Sequence, residues 1–154
     1  MSVYREPHDL VWEAAWRVTE ALVVTMAAEV RQRGADFLLL TLSNAPQVHP
    51  NPAVRLAFAQ RLGVEHLFYP DHRIRDLASR QNIPILSLAP PLQTVAEQHQ
   101  IFLHGFTNTQ MGIGHWNAEG HRLAGQLLAQ TLCAQVGLRL SPQPQRATIQ
   151  ESGL

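Results

Sequence analysis

The chain has 154 residues, of which 45% are hydrophobic and 16% charged, and its twelve basic residues balance twelve acidic ones. This length bounds one globular domain with a core of its own. With zero net charge and arginines interspersed among carboxylates, no basic stripe exists to neutralise a phosphate backbone, so no nucleic-acid partner is expected.

The only cysteine, Cys133, excludes an intrachain disulfide and a cysteine-rich zinc site; on an apolar helical run it is expected to pack as a small hydrophobe. The opening "MSVYREPHDLVWEAAW" has no apolar core followed by a small-residue cleavage site, and the longest apolar runs fall short of a membrane span. Neither an export signal nor a membrane anchor is expected, and the compartment stays open.

In chain order, the first element is a long amphipathic helix from about Val11 to Arg33. Trp12, Ala15, Trp16, Ala21, Leu22, Met26 and Val30 recur near a period of 3.6, and Gly34 closes the run. "ADFLLLTLS" follows as an apolar run too short for a helix, the profile of a strand buried on both faces, and "SNAPQVHPNP" after it reads as a loop. Pro52 suits the first residue of a helix through "AVRLAFAQRLG". "VEHLFYP" reads as a short extended piece, leading to Asp71 as the cap of a helix "HRIRDLASRQ". A second strand, "IPILSLA", precedes "PPLQTVAEQHQ", a helix with prolines in its first turn where they are tolerated. "IFLHGFTNTQMGIG" has no period and contains glycines, so it reads as a loop. A final helix from about Ala118 to Ala134 presents Leu123, Ala124, Leu127, Leu128 and Leu132 inward, with Asn117 as its N-cap. Residues 137–154 are rich in Pro, Gln and Ser without pattern and are expected to form a flexible tail.

Helices alternating with short apolar strands are the cadence of an α/β domain with parallel strands. Two strands alone do not make a buried parallel sheet, so the domain, residues 1–136, reads as incomplete at its N-terminal side. An exposed edge along "FLLLTL" would then invite self-association.

The chemistry concentrates in "GIGHWNAEGHRLAG", residues 112–125. His115 sits on a loop just ahead of a helix, and in open parallel α/β sheets the catalytic groups collect in loops beyond the strand C-termini. That position suits a general base serving a hydroxyl nucleophile. Trp116 is placed either to line a substrate groove or to cover the core, and His121, in the first turn of the last helix, to pack or to bond to the loop. Ser43, at the C-terminal end of the first strand with Asn44 beside it, is the candidate nucleophile within the chain, although Ser-Asn after a strand is also ordinary turn chemistry. Ser87 lies inside the second strand and suits the role less. His49, His66, His72, His99 and His104 have no ligand spacing on one helix face and no companion cysteines, so no metal and no cofactor is expected.

"GHWNAEGHRLAGQLLA" resembles the C-terminal block of the SGNH hydrolases, the GDSL-type lipases and esterases, whose form D-x-x-H-x-N-x-x-G-H is matched by His115, Asn117, Gly120 and His121. "LFYPDHRIRDLASRQNIPILSLAPPLQ" is similar to the segment that precedes this block in bacterial members, so the similarity spans roughly residues 10–134. It implies a three-layer, flavodoxin-like α/β fold with a parallel sheet, of which this chain would be the C-terminal part. It also implies a serine ester hydrolase, an ester substrate, and His115 as general base of the complete enzyme.

Two departures accompany the resemblance. The triad acid's position, three residues before His115, is Gly112; some members orient the histidine through a backbone carbonyl instead, and Asp71 is better placed as a cap than as a substitute acid. The chain also contains no Gly-Asp-Ser nucleophile block and no Gly-x-Asn-Asp oxyanion block. By this reading the chain alone is inactive, and the runner-up is a non-catalytic remnant or binding module that keeps the fold's surface.

Overall fold

The computed structural model describes residues 2–135; the expected tail, 137–154, lies outside them. A single 3-10 turn, Ser2–Tyr4, leads into helix α1, Leu10–Gln32. Asp9 caps α1, its carboxylate accepting from the Trp12 N–H at 2.8 Å and so satisfying one of the amides the first turn leaves unpaired. Strand β1 is Leu39–Thr41 and is followed by a 3-10 turn at Ala45–Val48. Helix α2, Pro52–Leu62, has Asn51 as N-cap, proline in its first turn and Gly63 in the left-handed conformation after its end, in agreement with the sequence pattern. Helix α3 is Tyr69–Arg80, strand β2 is Ile85–Ser87, helix α4 is Ala89–His99 and helix α5 is Ala118–Gln135.

The two strands pair in parallel, with Leu39 opposite Ile85, Leu40 opposite Leu86 and Thr41 opposite Ser87. Alternation along the strands sends successive side chains to opposite faces. Leu39 and Ile85 meet Val23 and Ala27 of α1 and Leu77 and Ala78 of α3. Leu40 and Leu86 meet the other cluster, Val48, Leu88, Leu92, Ala96, Leu103 and Ala124, which joins α4 to α5. Leu88, Leu92 and Leu103 are fully buried, each contributing about 2 kcal/mol of transfer free energy.

The expected three-layer, flavodoxin-like parallel sheet is not formed. Among the described residues the sheet has two strands of three residues each, and the chain is mostly helical. The reason lies in composition: only "FLLLTL" and "IPILSL" are short apolar runs between breakers, whereas the Ala-, Leu-, Gln- and Arg-rich remainder favours helix. "VEHLFYP" forms no strand; its last residues enter α3, and Leu67 is buried against Tyr4 and Ala59. β1 has β2 on one edge and no strand on the other among the described residues.

Three smaller expectations are corrected as well. Asp71 is not the cap of α3: that place belongs to Phe68, and Asp71 is buried in the first turn. Cys133 is exposed rather than packed. On α1 the buried residues are Trp16, Val23 and Ala27, while Leu22 and Met26 face outward together with Val11 and Val18. α1 is apolar around most of its circumference, so periodicity alone could not single out the packed face. No helix among the described residues is long and apolar enough to cross a membrane.

Candidate functional site

The site begins with the clasp that closes the loop between α4 and α5. Residues 103–105 run antiparallel to residues 115–117, with His104 opposite Trp116. The Asn117 N–H donates to the Leu103 carbonyl at 3.1 Å and the Gly105 N–H to the His115 carbonyl at 2.9 Å. Within the loop, the Gly112 N–H donates back to the His104 carbonyl at 2.8 Å.

The "HWNAEGH" block acquires a physical reading from this clasp. Asn117 caps α5, its Oδ1 accepting from the Gly120 N–H at 2.9 Å, while its Nδ2 donates to the Phe102 carbonyl at 2.8 Å. Gly120 is required by space: a Cβ there would stand 2.4 Å from the Leu103 carbonyl oxygen and 3.1 Å from Trp116 Cβ. His121 is exposed and its ring packs edge-on against Trp116, with centroids 5.5 Å apart. Gly112, where the resemblance would place an acid, has φ of +81°, and a Cβ there would meet the Phe102 ring at 3.0 Å. Backbone geometry therefore excludes an aspartate from that position without rearrangement.

Beneath the clasp lies a buried polar group that the sequence reading did not assemble. The Ser43 hydroxyl, two residues past β1, lies 3.2 Å from His104 Nε2. Trp116 Nε1 donates to Ser43 Oγ at 2.8 Å, and His104 Nδ1 lies 2.7 Å from the Gly114 carbonyl oxygen. Since a carbonyl can only accept, Nδ1 carries a proton. Nε2 of the neutral ring is then the acceptor for the Ser43 O–H, and every member of the group is satisfied. Ser43 is 6% exposed and His104 4%. Burial pushes the His104 pKa below the ordinary value of 6.5; the Gly114 hydrogen bond opposes that shift, and nearby His115 adds to it.

The sign of this shift fixes a pH dependence. A group whose folded pKa is depressed contributes stability that is fully present above its unfolded value and is lost as pH falls through the folded one. The melting temperature is therefore expected to fall between about pH 7.5 and about pH 5.5, and His104→Gln, which has no proton to gain, is expected to flatten that fall. An equal fall in the variant would show that other groups carry it.

His115 itself is exposed on the loop and makes no side-chain hydrogen bond among the described residues. The structure thus brings Ser43, His104, Trp116 and the Gly114 carbonyl together and leaves the His115 ring facing outward. The sequence reading weighed His104 only as a metal ligand; its signal was a histidine inside the otherwise apolar "IFLHGF". Ser87 lies in β2 with its Oγ buried and without a hydrogen-bond partner among the described residues. No three His, Cys, Asp or Glu side chains converge as metal ligands among the described residues.

A second buried network starts from Thr41, the last residue of the strand that Ser43 follows. Asp71, 3% exposed, accepts from Gln47 Nε2 at 2.7 Å and from Thr41 Oγ1 at 3.1 Å, and Gln47 Nε2 also donates to the Leu67 carbonyl. Burial raises the Asp71 pKa above its usual value, while the bonds from Gln47 and Thr41 hold it back. Beside both networks opens a cavity of about 780 Å³, bordered by Asn44 on one side and by Gly112, Ile113 and Gly114 on the other.

Comparison with protein-family models, with curated proteins and with solved structures gives no match for this chain. The likeness to SGNH hydrolases therefore rests on the residues named above.

Proposed function

We propose that this chain is the base-bearing portion of a serine ester hydrolase of the SGNH type. The observation that carries the reading is an exposed His115 on a loop clasped at both ends, beyond the C-terminal end of a parallel strand pair and next to a cavity of ligand size. In the complete enzyme a serine outside this chain attacks the ester carbonyl. His115 takes the serine's proton and returns it to the leaving alcohol as the acyl-enzyme forms; a water then repeats the sequence to release the acid.

The Ser43–His104–Gly114 group favours a second reading, because a hydroxyl, an imidazole and an orienting carbonyl in hydrogen-bond order are also the parts of a catalytic dyad. Against it stand the burial of both side chains and the Trp116 N–H already bound to Ser43 Oγ. In the first reading this group is structural: it ties the end of β1 to the loop that carries His115.

Turnover of nitrophenyl esters tests the proposal. The isolated chain is expected to show none. The chain extended by the in-frame coding segment upstream of its first codon is expected to be active, and His115→Ala in that longer chain to lower kcat/KM at least about a thousandfold. Activity of the isolated chain that Ser43→Ala abolishes would establish the second reading. An upstream segment without a Gly-Asp-Ser block, or an inactive extended chain, would overturn the hydrolase and leave a binding module.

A further inference from the structure

Helix α1 carries apolar seams on two opposite sides. Its inner side packs Val23 and Ala27 against the strand pair and α3, and Trp16 against Tyr69 of α3. On the outer side Val11, Ala14, Val18, Ala21, Thr25 and Ala28 follow one another at steps of three and four residues, the spacing by which one helix lays a seam along another. This outer seam stays uncovered among the described residues: Val11, Val18 and the flanking Leu22 keep 77%, 59% and 57% of their surface exposed. Between Val18 and Ala28 the one charged residue is Glu20, and it turns to α3, where it pairs with Arg73.

The composition of the seam points to a helix as its occupant. Alanine, valine and threonine let a second helix approach to the short end of the usual interaxial distances, about 8 Å. A lipid surface favours bulky apolar side chains flanked by several basic ones, and Arg17 is the only basic residue from Leu10 to Val30. The charges at the two ends of α1 point to a second copy of this chain, turned around. Glu6, Asp9 and Glu13 lie before and within its first turn, while Arg31 and Arg33 lie in and just past its last. In an antiparallel pair with Val18 opposite Ala21 of the second copy, Arg33 comes level with Glu6, and Arg31 with His8 and Asp9. The two helix dipoles also run in opposite directions. A parallel pair would set Arg33 beside Arg33 and Glu13 beside Glu13, and like charges so placed repel.

We infer that the outer face of α1 is a self-association surface, on which a second copy of this chain packs its own α1 antiparallel. The contact uses neither the edge of β1 nor His115, and it stands independently of the hydrolase reading. From Val11 to Ala28 the seam is about 26 Å long and about 11 Å wide. That size is at the low end of specific interfaces, so the dimer depends on protein concentration.

Sedimentation equilibrium of the chain tests the inference, and a shift from monomer to dimer is expected between about 1 and about 100 μM. Val18→Glu, at an exposed helix position, is expected to raise the dissociation constant at least about a hundredfold while leaving the circular dichroism unchanged, because the symmetric pair takes up the carboxylate twice. Leu22→Glu is expected to act in the same way. Leu56→Glu, as exposed on α2, and Leu42→Lys, just past β1, are expected to stay within about twofold of the parent. In a Cys133→Ser background, spin labels attached through Arg33→Cys are expected about 40 Å apart across the antiparallel pair. A chain that stays monomeric over this range, with or without binding to phosphatidylcholine vesicles, would overturn the assignment. So would a dimer that survives both glutamate substitutions on α1, whether or not Leu42→Lys removes it. Labels within about 15 Å of each other would show a parallel pair and overturn it as well.

Discussion

Gly120→Ala is expected to destabilise the protein by about 2–3 kcal/mol, whereas Gly125→Ala, further along the same helix, is expected to stabilise it by about 1 kcal/mol. Both glycines lie in α5, Gly120 in its first turn and Gly125 in its interior, and what surrounds them differs sharply. At Gly120 a methyl group would come 2.4 Å from the backbone oxygen of Leu103 and press on Trp116, and backbone cannot yield as the end of a flexible side chain does. α5 would have to move off the clasp, loosening the Trp116 bond to Ser43. At Gly125 nothing lies within 4 Å, so alanine only removes the conformational entropy that glycine holds in the unfolded chain. Urea denaturation of both variants checks the pair; two effects of the same sign would mean that helix propensity, and not the clasp, decides the outcome.

Asp71→Ala is expected to cost about 3 kcal/mol, because it leaves the buried Gln47 Nε2 short of one acceptor and the half-buried Thr41 hydroxyl without its partner. Asp71→Asn keeps the shape and an acceptor oxygen, and is expected to stay within about 1 kcal/mol of the parent. The sign with pH runs opposite to that of His104. A carboxyl whose folded pKa is raised contributes stability that is fully present below its unfolded value of 3.8 and is lost as pH rises through the folded value. The difference in stability between the parent and Asp71→Asn should therefore shift against the parent as pH rises from about 3.5 toward neutrality. A difference that stays level with pH would show that Asp71 titrates in the folded state as it does in the unfolded one.

These two predictions turn on features that the sequence shows unequally. The helices were legible where a local signal marks both ends: Asn51 and Pro52 before Gly63 for α2, and Asn117 ahead of the Leu123, Ala124 and Leu127 face for α5. The existence of the two strands was legible too, since each is a short apolar run followed by breakers. The extent of the sheet was not. Parallel pairing depends on partners distant in sequence, and a resemblance to part of a fold says nothing of how much of that fold a given stretch builds. Asp71 misled for a related reason: Asp ahead of a helical run is a capping signal, yet Gln47 and Thr41, remote in sequence, draw it inside.

The candidate site divides along the same line. His115, Asn117 and Gly120 stand in one short block, and the structure gives Asn117 and Gly120 definite duties there. Ser43 and His104, 61 residues apart, meet only because the end of β1 passes beneath the clasp, and no local pattern announces such a contact. Tyr4 and Trp12 reach the cavity from the far end of the chain and would not be sought near a histidine at position 115.

Labelling with a fluorophosphonate, which reacts with activated serines, followed by mapping of the adduct by mass spectrometry, tests most directly the claim that this chain supplies the base and not the nucleophile. The account predicts no serine adduct on the isolated chain. In the chain extended upstream it predicts an adduct on a serine of the added segment, formed at a rate that falls sharply in His115→Gln. An adduct on Ser43 of the isolated chain, lost in His104→Gln, would contradict the account and place the catalytic pair in the buried group beneath the clasp.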